Sequence, residues 1–244
     1  MNEHFITDLH SHILYGIDDG ADTIEESVEM LRMAEKQGVR NLFCTSHHWQ
    51  SVPADYEQNF ALLKDRVKKE GIDINLYTGM EILCEDDSYF PEALRDIKNG
   101  TVQTLNNTDY VLLEFSPFMD AEEIYDCVNT VFEQTGKKAV LAHVERYRVL
   151  DGEHKIIAQL KELGCLLQIN AYSLVEEQND RIRNLARKLL SEKLVDFIGS
   201  DAHRLDHRPP ELTSGVEYIY ENCDKDYADA VCFGNAESLI INAP

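Results

Sequence analysis

Asp8-Leu9-His10-Ser11-His12 closes a short apolar segment that contains Phe5 and Ile6. In an extended strand residues i and i+2 share a face, so His10 and His12 send their imidazoles to the same side. One divalent ion can take both rings if carboxylates from elsewhere complete its coordination. Other ionisable residues end other apolar runs: His47, Glu81, Glu114, His143 and Asp201, with Asp201-Ala202-His203 repeating the i, i+2 arrangement. A carboxylate that ends a buried strand has to be paired or metal-bound, because desolvating it alone is costly. Asp18-Asp19-Gly20 reads as a turn by itself, and His47-His48 is ambiguous by itself because neighbours on a strand face opposite ways. Together, His10, His12, Asp19, His47, Glu81, Glu114, His143, Asp201 and His203 are nine candidate ligands, and they point to a polynuclear metal site.

The elements that must position them recur in order. Short, nearly continuous apolar runs at 41–47, 74–81, 110–114, 139–143, 166–170 and 195–201 follow the first segment, and each reads as a strand buried on both faces. Helical patterns lie between them. Thr23-Ile24-Glu25-Glu26 is a capping box ahead of Ile24, Val28, Leu31 and Ala34, with Gly38 as a stop. Ile182, Leu185, Ala186, Leu189 and Leu190 form an apolar stripe opposite Arg181, Arg183, Arg187 and Lys188, and less regular helices are predicted over about 55–69, 121–135, 153–163 and 212–222. About seven strand–helix units predict an α/β chain folded as a parallel (β/α) barrel. An open doubly wound sheet is the alternative, but it gathers ligands at one switch point rather than at nearly every strand end.

The 244 residues suit one domain spanning 1–244, without linker, repeat or low-complexity tract. Met1-Asn2-Glu3-His4 lacks the pattern of a signal peptide and no apolar stretch approaches a membrane span, so a cytoplasmic protein without membrane insertion is expected. Six cysteines lie far apart with no Cys-x-x-Cys pair and read as reduced core residues. None has Arg six positions later, which excludes the phosphate loop of cysteine-based phosphatases. A net charge of −22 repels a phosphate backbone and argues against nucleic acid as a partner.

Taken in order, Asp8–His12, Asp18-Asp19-Gly20, Thr45-Ser46-His47-His48, Gly79-Met80-Glu81-Ile82, Leu113-Glu114-Phe115, His143-Val144-Glu145-Arg146-Tyr147, Gln168-Ile169-Asn170 and Ser200–Pro210 resemble the motifs of the PHP (polymerase and histidinol phosphatase) superfamily. The resemblance is closest to the manganese-dependent tyrosine-protein phosphatases of Gram-positive capsule and exopolysaccharide synthesis, and runs from residue 5 to about 240. Ser46 stands where Pro is expected and His207 where Gly is expected; neither replaces an expected ligand. The resemblance implies a distorted seven-stranded, TIM-like barrel of the PHP fold with three ions, expected to be Mn²⁺, with Fe or Zn also compatible with imidazole and carboxylate ligands. It implies one ion on His10, His12, Glu81 and Asp201, a second sharing Glu81 with Glu114 and His143, and a third on Asp19, His47 and His203.

The implied chemistry is hydrolysis of phosphotyrosine by a hydroxide bridging two cations, which also stabilise the phosphoryl oxygens. Arg146 and Arg208 resemble the family's phosphate-binding arginines, whose planar forks match two phosphoryl oxygens. His203 and His207 are the proton-donor candidates. Trp49, Tyr15, Phe118, Tyr147 and Tyr172 lie in or near predicted mouth loops and are candidates for stacking on the substrate ring. The implied partner is a phosphotyrosyl protein, the tyrosine-rich tail of a bacterial tyrosine kinase. A PHP-type small-molecule phosphatase, acting on a substrate such as histidinol phosphate, and a catalytically silent metal-binding regulatory module are the two alternatives.

Overall fold

The structure is a computed structural model that describes residues 5–48, 53–151, 155–176 and 179–242. Nine parallel strands among the described residues carry the site: β1 (Ile6–Ser11), β2 (Val39–Cys44), β3 (His47–His48), β4 (Asn75–Thr78), β5 (Glu81–Leu83), β6 (Tyr110–Glu114), β7 (Lys138–Leu141), β8 (Leu166–Asn170) and β9 (Phe197–Gly199). They pair as β1-β2-β4 and as β3-β5-β6-β7-β8-β9. Beyond β9, Asp201 N–H donates to His10 O at 2.8 Å and His12 N–H to Ala202 O at 2.8 Å, so the last run returns to the first. The expected seven runs are present, and two of them are broken.

The breaks fall at Thr45-Ser46, between β2 and β3, and at Gly79-Met80, between β4 and β5. The pairing offset survives them, with Cys44 opposite Thr78 and His47 opposite Glu81. Tyr56 fills the gap in the ladder: its buried hydroxyl accepts from Gly79 N–H at 3.1 Å and lies within hydrogen-bonding reach of Cys44 O at 2.7 Å. A β-run interrupted in this way delivers His47 and Glu81 side by side.

The expected helices are observed as α1 (Ile24–Lys36), α2 (Tyr56–Glu70), α4 (Ala121–Thr135), α5 (Lys155–Glu162), α6 (Asp180–Ser191) and α7 (Thr213–Asn222). Thr23 caps α1 by accepting from Glu26 N–H. Two helices were not anticipated. One is α3 (Asp86–Asn99), which accommodates Pro91 in its second turn. The other is α8 (Lys225–Asp229), from which the chain continues through wide helical turns to Ile241. That tail supplies Ala236 and Ile240 to a small core with Leu9, Phe43, Leu112, Val140 and Phe197, side chains drawn from strands all round the sheet. The larger core lies between strands and helices.

Candidate metal centre

The nine expected ligands converge at the C-terminal ends of the strands. They fall into four overlapping groups whose donor atoms lie within 4.8 Å of one another: His12, Asp19, His47 and His203; His10, His12 and Asp201; His10, Glu81 and His143; and His47, Glu81 and Glu114. Glu81 is the hub. Its Oε1 is 3.2 Å from His10 Nε2 and 3.0 Å from His143 Nε2, and its Oε2 is 3.2 Å from His12 Nε2 and 3.1 Å from His47 Nδ1. Glu114 lies 3.4 Å from His143 Nε2, and Asp19 lies 3.6 Å from His47 Nε2 and 3.5 Å from His203 Nε2. His48, facing the other way as strand alternation requires, leaves the cluster and pairs with Asp96 at 3.0 Å.

Backbone geometry presents these side chains at a cost. His143 and Asp201 have φ of 32° and 51°, in the left-handed region that non-glycine residues seldom occupy, and Arg208 has φ 56°. Two glycines make room. A Cβ on Gly20 would sit 1.9 Å from His12 O, and one on Gly199 would sit 2.6 Å from His10 Cβ.

The imidazoles are held from behind. His143 N–H donates to Gln168 Oε1 at 2.8 Å, which identifies that atom as the oxygen; His10 Nδ1, 3.2 Å from the same atom, is therefore its donor. His12 Nδ1 meets Asp18 Oδ2 at 2.8 Å, and His203 Nδ1 meets the carbonyl of Asp201 at 2.9 Å. With Nδ1 committed, each ring turns its Nε2 toward the cluster. This is how partners behind a ligating imidazole set its tautomer. Among the described residues the buried His203 Nε2 has no hydrogen-bond partner, and His10 Nε2 and His12 Nε2 stand 3.2 Å apart. Two ring nitrogens facing each other at that distance share either a proton or a metal ion. Metal–nitrogen bonds of about 2.0–2.1 Å put neighbouring donor atoms roughly 3 Å apart, the spacing found here. The residues present therefore fit metal ions.

The carboxylates draw positive charge onto the rings: against burial, Asp18 holds His12 well above its ordinary value, and Glu114 and Glu81 raise His143 to about 9; bound cations would take the place of those protons. Burial opposes ionisation of Glu81, but His10 and His47 outweigh it and hold the carboxyl well below the usual range. Asp201 is likewise held low against burial by His12, Arg146 and His10. Asp18, despite burial, is lowered to about 2 by His12. Burial and the neighbouring His12 push His203 down to about 4.

Arg146 and Arg208 both reach the cluster edge, donating to Asp201 Oδ2 at 2.6 and 2.9 Å. Arg208 is folded back by a short loop in which His203 N–H donates to Arg208 O. On that loop His207 is exposed, and its carbonyl rather than its ring is tied in, by Arg204 N–H. Tyr147 is fully buried, with its hydroxyl between Ala142 O and Phe115 N–H, so it packs under the site and is not available to a substrate ring. Phe118 is exposed beneath Arg148, Tyr15 packs partly buried against the core, and Tyr172 touches Arg146. Trp49 lies outside the described residues.

Three supporting residues carry no expected role from the sequence: Asp18, Gln168 and Asn170. Asn170 Nδ2 donates to Asp201 Oδ2 at 3.1 Å. Their signal was present, because each is a polar residue adjoining or ending an apolar run, but nothing in one sequence separates a side chain that holds a ligand from one that is a ligand.

Residues 6–241 match the model of a family described as capsular polysaccharide synthesis, CpsB/CapC. The tyrosine-protein phosphatase CpsB of Streptococcus agalactiae is 33% identical over 96% of this chain and 98% of its own length. The tyrosine-protein phosphatase YwqE of Bacillus subtilis is 31% identical over 96% and 91%. Among solved structures, a chain from the work on YwqE of B. subtilis and CpsB of Streptococcus pneumoniae, described as metal-dependent tyrosine phosphatases, superposes with TM-score 0.79 at 28% identity, covering 98% of this chain and 96% of that one. The phosphotriesterase homology protein of Escherichia coli, with TM-score 0.65 and 13% identity over 98% and 99%, shares the fold.

Proposed function

The chain belongs to the CpsB/CapC family of capsular polysaccharide synthesis, and on that premise we propose that it is a metal-dependent protein-tyrosine phosphatase whose site is the cluster around Glu81. The observation that carries this reading is the juxtaposition of four overlapping ligand groups with two arginines on one carboxylate oxygen, Asp201 Oδ2.

Three ions, with Mn²⁺ the proposed metal, would be held by His10, His12, Glu81 and Asp201, by Glu81, Glu114 and His143, and by Asp19, His47 and His203. When bound, divalent ions supply an activated water and positive charge for the phosphoryl oxygens. The chain supplies the rest. Glu81, at the centre of the cluster, would serve more than one of these ions. Arg146 and Arg208 turn their forks from Asp201 to the oxygens of an arriving phosphate, which positions the phosphorus over the cluster. The leaving phenolate is stable enough in water to need no strong acid, which agrees with an outlying His207.

The proposed substrate is a phosphotyrosyl protein, the tyrosine-rich tail of a kinase of polysaccharide synthesis, met in the cytoplasm; the family's description supports the link to polysaccharide synthesis. Among the described residues no helix is long and apolar enough to cross a membrane. The test is turnover by Mn-loaded protein of a phosphotyrosyl peptide against histidinol phosphate. The peptide is expected to be the better substrate; preference for histidinol phosphate would replace this reading with that of a small-molecule phosphatase.

A further inference from the structure

Tyr172 lies in the short helical turn Ala171–Leu174 after β8, and its hydroxyl meets Arg146 and Asn170, both bonded to Asp201 at the edge of the cluster. The hydrogen-bond directions around it can be assigned without ambiguity. His143 N–H makes Gln168 Oε1 an acceptor, so Gln168 Nε2 is a donor, and it meets Asn170 Oδ1 at 3.0 Å. Asn170 Nδ2 is then also a donor, consistent with its bond to Asp201 Oδ2, and its longer contact to the Tyr172 hydroxyl is 3.4 Å. Arg146 has no lone pair to offer, so its 2.7 Å bond to the same hydroxyl can run only one way. Tyr172 oxygen therefore receives from both neighbours. Its own hydrogen finds no acceptor among the described residues and is left for a ligand.

We propose that Tyr172 is a catalytic residue of this phosphatase, donating its phenolic hydrogen bond to a phosphoryl oxygen of the substrate beside Arg146. The inference rests on the phosphatase reading above and adds to it a third phosphoryl-binding group. Arg146, by donating to the phenolic oxygen, polarises the hydroxyl and strengthens the bond it makes onward. Tyr172 acts as a donor rather than as an acid. Its hydrogen stays on the phenolic oxygen and is directed at a non-bridging phosphoryl oxygen, not at the leaving oxygen.

Tyr172→Phe removes only the hydroxyl. In Mn-loaded protein of unchanged metal content, kcat/KM on a phosphotyrosyl peptide should fall about ten- to a hundredfold, and inorganic phosphate should bind severalfold more weakly by calorimetry. The same substitution placed in Arg146→Ala should still lower kcat/KM severalfold, because the donor acts on the phosphate itself. If Tyr172→Phe changed neither quantity, or if its effect vanished in the Arg146→Ala background, Tyr172 would only position Arg146 and the proposal would fall. If the parent turned over no phosphotyrosyl peptide yet bound phosphate more tightly than Tyr172→Phe, the phosphatase reading would fail while the assignment of Tyr172 as a phosphate donor stood.

Discussion

His10 Nε2 and His12 Nε2 stand 3.2 Å apart, each with its Nδ1 held from behind, by Gln168 and Asp18. The i, i+2 spacing on β1 explains why both rings arrive on one side, but not why both turn Nε2 toward the cluster. That comes from residues on other parts of the chain. Asp18 shows this most clearly, because it receives three N–H groups: His12 Nδ1 at 2.8 Å, His47 N at 2.8 Å and Gly20 N at 3.0 Å.

Asp18→Asn gives up half of that acceptor capacity and turns an amide donor toward at least one of those groups. We expect metal affinity to fall about ten- to a hundredfold, with activity recovered at high Mn²⁺. Metal titration of apo protein measures it. An unchanged affinity would mean that His12 keeps its tautomer unaided.

Arg146→Ala separates phosphate binding from metal binding. Metal content should stay at the parent level while kcat/KM on a phosphotyrosyl peptide falls by about 2–4 kcal/mol of transition-state stabilisation, roughly thirty- to a thousandfold. Glu81→Ala should lose metal and activity together. Loss of metal from Arg146→Ala would show that its bond to Asp201 is structural.

Much of this cluster was legible in the sequence because ionisable side chains at the ends of buried strands contradict the hydrophobic pattern around them. His10, His12, Glu81, His143 and Asp201 each interrupt or end an apolar run, and a single chain shows that directly. The barrel was legible for the same reason of period. What was not legible depends on tertiary contact. The interruption of two strand runs rests on the Tyr56 hydroxyl, a residue whose sequence position reads only as the start of a helix. α3 was hidden by Pro91, and the tail after residue 223 is too irregular in period to announce that Ala236 and Ile240 close a core. Tyr147 was read as a mouth residue from its place after the His143 motif, whereas the turn directs it inward.

Gly199→Ala tests how tightly the strand ends are packed. The added methyl would meet His10 Cβ at 2.6 Å and Gln168 Nε2 at 2.9 Å, so the His10 ring must shift or β9 must move. A lower Tm and weaker metal binding are expected by thermal melts with and without Mn²⁺. A variant indistinguishable from the parent would show slack that this packing does not contain.

The cysteines provide a negative control. Burial raises all six thiols, Cys127 to about 11 and Cys165 and Cys232 to about 12, so little thiolate exists near neutral pH. Folded, metal-loaded protein treated with iodoacetamide should keep most of its activity, and single Cys→Ser or Cys→Ala variants that fold should do the same. Loss of turnover in one fully metallated variant would indicate a cysteinyl-phosphate route instead.

The most direct measurement is hydrolysis of a phosphotyrosyl peptide by protein stripped with chelator, with metal loss verified by elemental analysis, and then reconstituted. Activity should vanish on stripping and return with Mn²⁺ more fully than with Mg²⁺, in step with the ions bound. Full activity in the verified metal-free protein would contradict the account.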